Sequence, residues 1–173
     1  MKLSEHMLKR VEGNKEKIGQ LLLQYTSLTE KQLDEALEIQ KESGMLIGEI
    51  LLKKNYIHPH DIIKVICHQV DIPYMSEISV EKIEPNITLE LPINYAKHHE
   101  LIPFEVTEDQ VKLLITDPFN FDAINDIQEI FKRRIKIFVA APLKIADAIN
   151  KVYEKANRNL VDSLEDEFDA GDI

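Results

Sequence analysis

One segment of this chain is written twice. Residues 17–40 (KIGQLLLQYTSLTEKQLDEALEIQ) realign on 46–69 (LIGEILLKKNYIHPHDIIKVICHQ) at an offset of 29. Under that shift Ile18 falls on Ile47, Gly19 on Gly48, Leu22 on Leu51, Leu23 on Leu52 and Gln40 on Gln69. Leu28, Leu33 and Leu37 fall on Ile57, Ile62 and Ile66. The chain has only five glycines, so two in register mark a shared requirement. A duplicated pattern of this length means that each copy is one supersecondary unit whose apolar face needs a neighbour.

Each copy reads as a short helix, a turn and a longer helix, because Leu33, Leu37 and Gln40 keep the spacing of one helical face, as do Ile62, Ile66 and Gln69. Thr29 with Gln32 forms a capping-box pattern. His58 precedes Pro59 at a first helical position, with Asp61 in the positive first turn. Ser43 and Gly44 end the first long helix. Residues 1–72 are therefore expected to form a helical subdomain. The aliphatic repeat positions are expected in its core. The repeated Gly and Gln fit two roles: close helix packing with a solvated amide, or backbone approach and an amide offered to a ligand.

After Pro73 the pattern changes. Residues 92–99 suit a helix opened by Pro92, 101–106 and 111–116 suit the arms of a hairpin, and Ile124, Ile127, Ile130 and Phe131 mark an amphipathic helix. A β-branched run at 135–140 and a last helix over 142–155 follow. That order predicts an α+β fold: a helical subdomain of two tandem helix-turn-helix repeats, then a small α/β sandwich over 73–157 with helices on one face of the sheet. Asp117 before Pro118 is expected to cap the amphipathic helix.

The 44% hydrophobic content supports a packed core. The N-terminus lacks a continuous apolar stretch, so the expectation is a cytoplasmic protein without direct membrane insertion. One cysteine, Cys67, makes no internal disulfide and no CxxC metal motif. The net charge of -10 opposes nucleic-acid binding. Asp162, Glu165, Asp166, Glu167, Asp169 and Asp172 follow Arg158 without an intervening base, so residues 158–173 read as an acidic, solvated or disordered interaction tail. No catalytic residue is assigned: no glycine precedes a lysine in a phosphate-cradling loop, and the chain is not expected to be an enzyme. No metal site is assigned either, since Lys64 stands between His60 and His68. Arg133, Arg134 and Lys136 read as a solvated basic helix end.

The two 24-residue units separated by KESGM, followed by an α+β half with a TDP turn, resemble the MshEN domain family over residues 15–155. This is the N-terminal domain of the ATPases that drive type II secretion and type IV pilus assembly. The resemblance implies a regulatory and docking domain whose partners are proteins of the secretion or pilus assembly platform. As an alternative it implies a receptor for the bacterial messenger cyclic di-GMP, with no other cofactor required. The positions it marks for that ligand are Lys17, Ile18, Gly19, Leu22 and Gln40 in the first unit and Leu46, Ile47, Gly48, Leu51 and Gln69 in the second. Members that bind the messenger open each unit with Arg; here Lys17 loses the planar fork and Leu46 carries no charge. Thr26 and Asn55 replace a glycine often found in the inter-helix turn.

Overall fold

The computed structural model describes residues 2–171 and divides the chain into two compact units, Met1–Ile72 and Pro73–Ile173.

Among the described residues, the first unit holds helices and no strand. Helix α1 (Glu5–Gly13) precedes the first repeat, which forms α2 (Lys15–Tyr25) and α3 (Glu30–Ser43); the second forms α4 (Ile47–Lys53) and α5 (Pro59–Gln69). The expected stops and starts are present. The Gln32 N–H donates to Thr29 Oγ1 at 3.3 Å, and the Thr29 N–H donates to Gln32 Oε1 at 3.0 Å, completing a capping box. At the start of α5 the His58 N–H donates to Asp61 Oδ2 at 2.8 Å, with Pro59 at the first position. Gly44 ends α3 in the left-handed region at φ 69°, which only glycine adopts without strain. Helix α1, for which the sequence offered no repeat to mark its start, begins at Ser4, whose Oγ accepts from the Met7 N–H.

The repeats interlock instead of standing as separate hairpins. The first helix of each unit packs on the second helix of the other, α2 on α5 and α4 on α3, and α1 lies mainly along α4. A tyrosine ties each of these pairings. Tyr25 Oη lies 3.3 Å from His68 Nε2, joining α2 to α5, while Tyr56 Oη donates to Glu35 Oε2 at 2.8 Å and Lys54 Nζ pairs with Glu35 at 3.0 Å. Ile18, Leu22, Ile47, Leu51, Ile62 and Ile66 are fully buried. Leu33 and Leu37, their expected equals on α3, are only half-buried.

The second unit is built on a four-stranded sheet in the order β1-β4-β3-β2. Strand β1 (Tyr74–Met75) has no signature in the sequence: two residues are too few to show alternation. Two single helical turns (80–82 and 85–89) and α6 (Ile93–His99) follow. Strands β2 (Leu101–Val106) and β3 (Gln110–Ile115) form the antiparallel hairpin, irregular between Pro103 and Glu105, where proline withholds its N–H from the ladder. Helix α7 (Phe121–Phe131) crosses to β4 (Arg134–Ala140), which runs parallel to β3 from Gln110↔Arg134 to Ile115↔Val139 and parallel to β1 on its other side. Leu113, Leu114, Ile115 and Thr116 are all buried. Since successive side chains point to opposite faces, apolar cover lies on both faces at this end of β3, where the element order suggested cover on one.

Three further expectations change. Asp117 does not cap α7: its Oδ1 accepts from the Phe119 N–H at 2.8 Å in a local turn, and Asn120 is the cap, accepting from the Ala123 N–H. Arg134 and Lys136 stand on β4, not at a helix end, and Arg133 Nε donates to the Glu108 carbonyl. The last helix, α8, runs over Pro142–Ala170, far beyond its expected end at 155. No glycine or proline interrupts it before Gly171, and its acids and leucines are compatible with a helix, so the acidic segment stays helical as well as solvated. Asp172 and Ile173 of the predicted tail lie outside the described residues. Among the described residues no helix is long and apolar enough to cross a membrane.

Candidate functional site

The ten positions marked in the repeats do not share one environment. Ile18, Gly19 and Leu22 of α2 and Ile47 and Leu51 of α4 line one apolar cavity of about 230 Å³, together with Leu33 and Leu37 of α3. That is below the roughly 300–1,000 Å³ of typical ligand pockets; most of its lining is aliphatic and offers dispersion contacts, with Lys15, Glu16 and Gln20 as the polar residues on its wall. The repeat pattern puts Leu33 and Leu37 in the core; their half-burial is the opening of this cavity.

The two glycines are close-approach positions. A Cβ on Gly19 would sit 3.3 Å from Leu33 Cδ2. A Cβ on Gly48 would sit 3.1 Å from Leu8 Cδ2, 3.6 Å from Val11 Cγ1 and 3.8 Å from Ile62 Cδ1. Leu33 and Ile62 are equivalents under the repeat, so each glycine admits the same residue of its own unit, and the second also admits α1. Side chains pack over Gly48, whereas Gly19 meets Leu33 and also borders the cavity.

The polar positions form a network organised by a residue that the repeat could not reveal. Gln40 Nε2 donates to Glu12 Oε2 at 2.9 Å and to the Met45 carbonyl at 3.0 Å, and Gln40 Oε1 accepts from Lys15 Nζ at 3.3 Å. Glu12 Oε2 also accepts from the Ile47 N–H, at 2.9 Å, so a carboxylate of α1 caps the start of α4. Partial burial pushes the Glu12 carboxyl up, but the Ile47 N–H, the Gln40 amide and Lys15 outweigh it and hold the group below its ordinary value. Glu12 and Lys15 precede the repeated segment and have no counterpart in the second unit, which is why spacing alone did not find them.

The remaining positions stand apart. Lys17 is exposed and lines a shallow concavity with Glu12, Gly13, Asn14, Lys15 and Glu16. Leu46 occupies the cap position of α4, half-buried and without a polar group to offer. Gln69, the equivalent of Gln40, has a buried Oε1 with no hydrogen-bond partner. Among the described residues no cluster of His, Cys, Asp and Glu is arranged to hold a metal ion, and Cys67 is buried.

The MshEN domain pattern matches residues 70–159, beginning directly after Gln69, so the tandem repeat lies N-terminal to the matched stretch. Two curated relatives extend the similarity into the repeat. The type IV pilus assembly ATPase PilB of Myxococcus xanthus is 26% identical over 150 residues, 87% of this chain and 26% of the relative. PilB of Thermus thermophilus is 24% identical over 148 residues, 85% of this chain and 16% of the relative. This chain therefore spans about a quarter or less of these proteins. A solved structure of MshE with cdg, cyclic di-GMP, superposes with a TM-score of 0.54 at 19% identity, covering 79% of this chain and 98% of that one. At that identity the likeness is one of fold.

Proposed function

Because this chain belongs to the MshEN domain family, whose pattern runs through just over half of it, we propose that it is a non-catalytic docking and regulatory module of a type IV pilus or type II secretion system. On this reading it acts at the cytoplasmic face, where it binds proteins of the assembly platform. Family membership supports the class of module. The observation that favours docking over nucleotide binding is the Glu12 carboxylate on the Ile47 N–H, with Gln40 and Lys15 drawn into the same network. The amide and the nearest cation are already committed to an internal anion, and a phosphate approaching the start of α4 would meet a negative charge.

A cyclic di-GMP receptor is the second reading, favoured by the convergence of Ile18, Gly19 and Leu22 with Ile47 and Leu51 on one cavity and by the fold shared with MshE. Calorimetry separates the two. The wild-type chain is expected to bind purified cytoplasmic domains of platform proteins, and to bind cyclic di-GMP weakly or not at all. Leu46→Arg restores a charge-assisted contact worth about 1.5–3 kcal/mol and should tighten nucleotide binding about tenfold to 150-fold. Sub-micromolar binding of cyclic di-GMP by the unmodified chain would put the receptor reading first.

A further inference from the structure

The outer end of α8 carries an apolar stripe that the second unit does not use. Every residue from 157 to 171 is exposed, and among them Leu160, Val161, Leu164 and Phe168 are 58%, 53%, 46% and 78% exposed. At about 100° per residue these four fall within an arc of roughly 100°. The buried side of the same helix, Ile145, Ala148, Ile149 and Val152, is turned from that arc by roughly a third of a turn. The stripe is therefore not an overhang of the core-facing side. It is a second face with its own orientation.

Its charge setting selects what can cover it. Glu167 lies at one edge of the stripe and Glu165 at the other, and Asp162, Asp166 and Asp169 fill the remaining circumference; no base follows Arg158. Acids in the last turn oppose the helix dipole, so this segment carries a charge pattern unfavourable to its own helix. A cationic surround would relieve that cost. An anionic lipid surface would be repelled, and so would nucleic acid. A second copy laid over the stripe would set edge acids against edge acids. The complement that remains is an apolar groove with a Lys- and Arg-rich rim, the helix-in-groove mode of recognition.

We infer that the Leu160–Phe168 face of α8 is a docking helix for an apolar, basic-rimmed groove on a partner protein. This rests on the docking reading and names the surface and chemistry through which it operates. Three versions of this chain test it by calorimetry against purified cytoplasmic domains of platform proteins: wild type, Leu164→Gln/Phe168→Gln, and Glu165→Gln/Asp166→Asn/Asp169→Asn. Glutamine keeps helix propensity, and all five positions are exposed, so the circular dichroism melt of the apolar variant should match wild type and that of the charge variant should match it or rise slightly as acids leave the end of the helix. The apolar double variant should bind about 30-fold or more weakly, as loss of two anchors implies. The charge variant should lose several-fold at low salt, with a flattened salt dependence. If wild type binds and both variants bind equally well, docking stands and this surface is wrong. If wild type binds no platform domain, the docking reading fails and takes the inference with it. Dimerisation in sedimentation that Phe168→Gln abolishes, or binding to phosphatidylglycerol vesicles, would assign the stripe another occupant and overturn the proposal.

Discussion

The two repeats share a pattern but not surroundings, and comparing them shows how a neighbour breaks an internal symmetry. In the second unit Gly48 is covered by Leu8 and Val11 of α1, and Ile62 and Ile66 are fully buried. In the first, Gly19 meets only Leu33, and Leu33 and Leu37 remain half-buried along an open cavity. The glutamines diverge likewise: Gln40 is held by Glu12, Lys15 and the Met45 carbonyl, while Gln69 Oε1 has no partner. Even the inter-helix turns differ. Thr26 is extended and its Oγ1 donates to the Leu22 carbonyl, whereas Asn55 takes a left-handed φ of 56°. Equivalent sequence sets equivalent helices, while helix α1 covers Gly48 and has no such contact at Gly19.

The largest expected effect falls on the glycines. Gly48→Val would drive a branched side chain into Leu8 and Val11, and should destabilise the helical unit by about 2–3 kcal/mol in urea titration. Gly19→Ala gains helix propensity against one flexible Leu33 methyl and should stay within about 1 kcal/mol of wild type. Equal losses at the two sites would break the asymmetry. Next is the cap: Glu12→Ala removes the acceptor for the Ile47 N–H and the Gln40 amide and should cost about 1–2 kcal/mol. Because the folded Glu12 carboxyl titrates below its ordinary 4.5, its contribution is whole above about that pH and is lost as pH falls through the lower folded value. Glu12→Gln should therefore flatten the acid limb of a stability-versus-pH curve; an unchanged limb would remove Glu12 from the network's energetics. The smallest contrast lies between the amides. Gln40→Leu should cost about 1 kcal/mol, while Gln69→Leu, which deletes an unpaired buried oxygen, should be neutral or slightly stabilising. A reversal would place the working amide in the second unit.

Much of the fold was legible because it depends on local periodicity. The capping box at Thr29, the stop at Gly44, the start at Pro59, the hairpin and the crossover helix all follow from spacing and turn chemistry. The misses share a different cause. Asp117 has the chemistry of a cap, but its side chain is used within its own turn. Helix α8 continues because nothing in the segment breaks it, while its high charge suggested solvation and disorder.

The sequence by itself determined that the first unit is a duplicated helix pair, that Ile18, Leu22, Ile47 and Leu51 face inward, and that an α+β unit follows, since each depends on residues close along the chain. Only the tertiary structure decided that the helix pairs interlock, that Glu12 and Lys15 claim Gln40 and the start of α4, and that the apolar stripe on outer α8 is left exposed. Those outcomes depend on which surfaces meet after the helices have formed. Spacing fixes where a side chain lies on its own helix, but the neighbour that satisfies it is set by packing between segments far apart in sequence.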